Sequence, residues 1–436
     1  QTFLEEAPVG KLLWKMSVPS ILGVLAYNLY NIVDTIFISK GAGIDAIGGV
    51  AVSFPLFLLL SAVSSTLGNG AASVISRALG NKDPEKAEKA AANTFALFYL
   101  IAILITVTGL LFLKPLLYSM GVTEELMPYA QRYTRIILFG AVTSTGFSSL
   151  IRAEGNSRYA MYIWVIPLSV NILLDPIFIF GFRMGVTGAA AATVAAQIIS
   201  AGMSIYYFYL SKKSSLRLKP EHFIPDKELL REIILIGIPS FLQMTGYSFS
   251  IILVNQILKK YGGNLYISTY GIVSKINTFL LIPVMGLVQG LQPVIGYNKG
   301  ADRPDRIKEA LKKASAAAGG YGLAAYGVIM LFSSQLLQIF TSDSVVIGRG
   351  AVILQIVNIG IVCTALQYIQ SVYFQAIGKK LLSLLVVLSN QVICFIPALL
   401  FLSGRYGLTG VWYAFPVSSV LALLISTVVL FRTFRE

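Results

Sequence analysis

The feature that most constrains this chain is the recurrence, from end to end, of apolar stretches about 20 residues long or longer. Each is long enough to cross a hydrocarbon core of about 30 Å as an α-helix, and a helix satisfies all its backbone polar groups within the segment. A transmembrane β-barrel would instead show alternating segments of about ten residues, and no such alternation is present. Only 12% of the 436 residues are charged, about half the share of a soluble domain. The sequence therefore predicts an all-α, polytopic membrane protein whose main solvent is the bilayer.

Twelve helices are read at about 12–38, 46–79, 90–113, 126–151, 159–180, 187–211, 229–258, 264–297, 308–332, 350–376, 381–402 and 408–431. An even count puts both termini on one side. Segments on that side carry 24 Lys and Arg against 7 on the other, which predicts cytoplasmic termini and a multi-pass protein of the plasma (inner) membrane. The net charge of +14 is then a topology signal and implies no nucleic-acid partner. No cleavable signal peptide is read before the first apolar run, which lies behind Glu5, Glu6, Lys11 and Lys15 and is expected to direct its own insertion. Cys363 and Cys394 fall inside apolar runs without metal-ligand spacing and read as buried free thiols.

The chain also repeats itself. Pro19-Ser20 recurs as Pro239-Ser240, and the loop from Gly80 to Lys86 recurs from Gly300 to Arg306, both at an offset of 220. Ala153 and Gly155 recur as Ala376 and Gly378, and Gly185-Val186-Thr187-Gly188 recurs as Gly407-Leu408-Thr409-Gly410. Halves of six helices each must enter the membrane in the same orientation, so a pseudo-two-fold axis along the membrane normal relates them. The expected organisation is an N-terminal six-helix lobe (1–211), a cytoplasmic linker (212–228) and a C-terminal six-helix lobe (229–436) around a central cavity. His222, the only histidine, reads as a solvated residue of that linker.

Of the 20 carboxylates, 14 lie in cytoplasmic segments or at cytoplasmic helix ends and 4 (Asp45, Glu124, Glu125, Asp343) in external loops, which leaves Asp34 and Asp175 at membrane depth. Charges at membrane depth are costly and mark ion or substrate pathways by default. Asp34 lies six residues before Lys40 and Asp175 six before Gly181, both at the outer side, roughly 9 Å at the helical rise. Thr193 reaches the same level from the sixth helix, and Asn171 projects from the face of Asp175 one turn deeper. Pro176 cannot donate to the carbonyl of Ile172, which frees a backbone oxygen. Two carboxylates, an amide, a hydroxyl and a carbonyl make a hard-oxygen set suited to a proton or Na⁺.

Tyr27, Asn31 and Asp34 form one polar stripe on the first helix, which suits a cavity wall better than a polar helix contact. The second half does not repeat the acids: Val254 stands at the counterpart of Asp34, and none of Cys394 to Ala398, the counterpart of Asp175, is acidic. It offers neutral groups instead, among them Gln243, Asn255 and Gln367, for which cavity lining and helix-to-helix hydrogen bonding are equally compatible with the pattern. Lys275 is the one cation read deep in a helix, where backbone carbonyls or a snorkelled head group are its plain accommodation.

These residues, namely Pro19-Ser20, Tyr27 to Asp34, Asn171-Ile172-Leu173-Leu174-Asp175-Pro176 and the loops at Gly80 and Gly300, resemble the multidrug and toxic compound extrusion (MATE) family over essentially the whole chain, and most of all its DinF-type branch. The resemblance implies a V-shaped pair of lobes that exports organic cations and amphipathic compounds in exchange for H⁺ or Na⁺, with no other cofactor. It implies ion coupling at Asp34, Asn171, Asp175 and Thr193. The polar residues read inside the helices, Tyr27, Asn31, Asp34, Gln243, Asn255 and Gln367, are the candidate substrate contacts. A monomer is expected. A flippase for lipid-linked sugars is the alternative within the superfamily, although such cavities tend to be strongly basic. An enzyme is disfavoured, since no phosphate-binding GxxxxGK[ST] occurs and a single histidine cannot build HExxH.

Overall fold

The computed structural model describes residues 2–42, 44–120, 122–143 and 147–435; side chains at 2, 3, 31, 35, 39, 42, 44–49, 51–57 and 435 lie outside that description. Among the described residues the chain is helical without strands, and 12 helices are long and apolar enough to cross a membrane. They are helix 1 (Val9–Ile38), helix 2 (Leu58–Gly80), helix 3 (Pro84–Leu111), helix 4 (Met127–Ala153), helix 5 (Ser157–Gly181) and helix 6 (Val186–Leu210), then helix 7 (Lys227–Tyr261), helix 8 (Gly263–Gly300), helix 9 (Pro304–Gln338), helix 10 (Ser344–Ala376), helix 11 (Lys380–Tyr406) and helix 12 (Leu408–Phe434).

The helix starts are set by short polar residues. Asp83 accepts a hydrogen bond from the Lys86 N–H ahead of Pro84, and Asn156 and Asp226 cap helices 5 and 7 in the same way. The internal repeat is visible in the backbone: left-handed residues recur as Lys82 and Asp302, Gly155 and Gly378, and Gly185 and Gly407. Gly185 and Gly407 share nearly the same conformation, φ 57° ψ −132° and φ 59° ψ −133°. A strained turn recurring at one offset is difficult to obtain without a common fold in both halves.

Both chain ends lie at one face, because Glu5 and Phe434 approach the same segment: Arg303 Nη2 is 3.5 Å from Glu5, and Lys308 stands over the Phe434 ring. On this terminus face the first six helices meet the last six backbone to backbone. A methyl at Gly80 would collide with the Tyr297 carbonyl, and one at Gly300 with the Arg77 carbonyl. Arg77 and Lys86 pair with Glu232 across the same junction at 3.0 and 3.4 Å. One large apolar core, from Leu12 and Leu150 to Leu291 and Phe374, is shared there by both sets of helices. Towards the opposite face the cores separate, one around Val254, Leu354 and Trp412, and smaller ones around Leu117 and around Ile38 and Ile179.

The segment joining the two sets of helices is a docked strap. Asn93 Nδ2 donates to the His222 and Ile224 carbonyls, while Leu216 and His222 are buried. The solvated position expected for His222 is therefore corrected: it is 4% exposed, its Nδ1 accepts from the Lys219 N–H, and Glu88 stands 3.6 Å away. Glu154 holds the strap from below, accepting from the Ser214 hydroxyl and from the Ser215 N–H and hydroxyl. Burial pushes the Glu154 carboxyl up to about 7, although these hydrogen bonds pull it the other way.

Candidate functional site

Helix 1 packs along helix 5 and touches helix 6, which brings four side chains from three helices into the interior of the first half. Asp34 is 8% exposed, Asn171 and Asp175 are fully buried, and Thr193 is 2% exposed. Asp34 and Asp175 are within electrostatic reach of each other. One oxygen of Asp34, both of Asp175 and both polar atoms of the Asn171 amide lack hydrogen-bond partners. Buried polar groups are nearly always satisfied by protein or ordered water, which makes this cluster the candidate site. Helix 5 loosens beside it: Pro176 is followed by a wide π-turn over Ile177–Gly181, a common adjustment where a proline interrupts the hydrogen-bond ladder.

Two tyrosines that the sequence did not single out border this cluster. Tyr30 donates to Thr193 Oγ1 at 2.8 Å, and Tyr30 and Tyr133 both feel the charges of Asp34 and Asp175. Tyr30 precedes Asp34 by four residues, so the helical period alone places it on the same face.

Below the acids a cavity of about 480 Å³ opens, lined by Tyr27, Asn28, Tyr30, Trp164 and Thr193 from the first half and by Met244, Met285 and Gln289 from the second. Tyr27 and Trp164 meet edge to face at 5.2 Å. The candidate contacts Gln243, Asn255 and Gln367 are not among the lining residues. Gln367 donates to the Val386 carbonyl at 2.8 Å and accepts from Asn390, and Gln243 bonds with Tyr368. The Asn31 side chain lies outside the described residues. A third residue that the sequence reading did not single out is Arg152. Read there as part of a loop, it is 8% exposed, sits on helix 4 and lines the cavity.

The family model described as MatE matches twice, over residues 19–177 and 239–400, and so begins at each copy of the Pro-Ser repeat. The chain belongs to the MATE family. MATE proteins are multidrug efflux transporters, and the chain falls in the DinF-type branch. The multidrug export protein MepA of Staphylococcus aureus (strain NCTC 8325 / PS 47) is 27% identical over 98% of this chain and 95% of its own length. A structure of the MATE multidrug transporter DinF-BH matches at 35% identity with a TM-score of 0.89, covering 97% of this chain and 95% of that one. The outward-facing conformation of a multidrug resistance MATE family transporter of the MOP superfamily matches at 27% identity and a TM-score of 0.91, over 98% and 96% of the two chains.

Proposed function

We propose that this MATE protein is a secondary active antiporter that exports amphipathic cations in exchange for H⁺ or Na⁺, working as a monomer in the plasma membrane with both termini in the cytoplasm. The observation that carries the reading is the pair Asp34 and Asp175, buried together with unsatisfied oxygens at the head of a cavity between the two sets of helices. Taking a carboxylate out of water favours its protonated or ion-bound form, so occupancy here responds to the gradient across the membrane. Asn171 and Thr193 supply the neutral oxygens, and Tyr30 holds Thr193 in place. The lobes 1–211 and 229–436, joined by the strap 212–228, then rock about the terminus face, which the packing at Gly80 and Gly300 keeps closed in this state. A coupling ion and a cationic substrate compete because each favours a different arrangement; a ligand shifts such states only by its differential affinity for them.

The test is ethidium efflux from proteoliposomes with pH and Na⁺ gradients imposed separately. Asp34→Asn and Asp175→Asn are expected to bring gradient-driven efflux to the protein-free background. Undiminished efflux by both variants overturns the assignment, and transfer of lipid-linked sugar between leaflets without ethidium efflux overturns the exporter reading in favour of a flippase.

A further inference from the structure

Of the residues that line the cavity, Arg152 alone carries a charge, and nothing in the ion-coupling scheme uses it. It sits at the last turn of helix 4, next to the strap, beside Ser149. The residue is 8% exposed, and its one protein hydrogen bond among the described residues runs from Nη2 to the Ser149 hydroxyl at 3.1 Å. No described carboxylate lies within ion-pair distance. A guanidinium has five donors in a planar fork, and a buried charge left without a partner is strongly unfavourable.

The repeat supplies an internal control. At the offset of 223 that relates Ala153 to Ala376, Arg152 corresponds to Gln375. Gln375 is neutral and saturated: its amide donates to the Ile236 carbonyl at 3.1 Å and to the Ser240 hydroxyl at 3.0 Å. The fold therefore does not require a cation at this position, and the first half keeps one with free donors turned to open space. Above it stand the Tyr27 and Trp164 rings and the Met244 and Met285 thioethers, surfaces that accept a flat apolar body.

We propose that Arg152 is an anion subsite at the floor of the cavity, receiving the carboxylate of an amphipathic substrate whose ring system rests on Tyr27 and Trp164. Arg is the side chain best shaped for this, since two parallel N–H groups meet both carboxylate oxygens. This inference rests on the reading of the cavity as the substrate path.

The test uses two probes, a xanthene dye with a free carboxylate and its ethyl ester, which share one cationic ring system. Their affinities are read by fluorescence polarisation on purified protein in lipid nanodiscs. Arg152→Gln, the residue the fold already carries at position 375, is expected to weaken the acid dye roughly tenfold and the ester less than twofold, while Arg152→Lys keeps part of the preference. Unchanged ester affinity verifies that the variants are folded. Equal losses for both dyes, or no loss for either, overturn the subsite. If wild-type protein binds neither dye, the cavity reading falls and takes the subsite with it.

Discussion

The two halves share a backbone plan and diverge at the same depth in opposite directions. In the first, Asp34, Asp175, Asn171 and Thr193 gather with orphaned oxygens. In the second, Val254 stands at the counterpart of Asp34 and is fully buried in an apolar core, and Phe415 stands at that of Thr193, its ring 4.8 Å from Phe395. What polarity survives there is neutral: a cavity of about 110 Å³ bordered by Ser250, Asn277, Thr364 and Gln391. The second half folds without acids at this level. Glu154 repeats the contrast at the terminus face, since its counterpart at the offset of 223 is the buried Ile377.

The strongest way to break this comparison is to give the second half a charge. Val254→Asp buries a carboxylate among Leu258, Val273 and Leu354, and should cost about 3–5 kcal/mol. Thermal unfolding in detergent checks it, and an unchanged midpoint would mean that the second half also tolerates an acid. Next comes Glu154→Gln. The folded protein holds the Glu154 proton more tightly than an unfolded chain does, so this contribution is full in the ordinary carboxylate range and is lost as pH rises through about 7. The variant should match wild type at pH 5 and exceed it at pH 8, by up to about 3 kcal/mol. A gain at pH 5 as large as that at pH 8 would assign the effect to packing instead of charge.

The smallest effect sharpens the comparison at the tyrosine. Tyr30→Phe removes one hydrogen bond to Thr193, worth about 1 kcal/mol, and should lower ion-driven efflux several-fold. Ser250→Ala, at the counterpart position, should leave efflux within about twofold of wild type. Equal losses in the two variants would dissolve the distinction between the halves.

The helices and the repeat were legible because long apolar runs and paired turn residues are strong local signals, and Asp34 and Asp175 were legible because charges in such runs are rare. Tyr30 escaped notice because aromatic residues are common in membrane helices, and only its bond to Thr193 separates it from the rest. Arg152 was hidden by its neighbours: beside Glu154 and Arg158 it reads as a loop charge, whereas helix 4 in fact carries it inward to the cavity. The strap around His222 looks solvated by composition, and its burial depends on Asn93 and Glu88, well over a hundred residues earlier. Gln367 could have faced a hollow or a helix, a choice that packing alone makes.

The crossing at Gly80 and Gly300 has a mechanical consequence. Where two main chains touch with no space for a side chain between them, breaking the Arg77 and Lys86 pairs with Glu232 does not by itself part the contact. Opening that face needs whole helices to shift as bodies, because backbone meets backbone at both glycines.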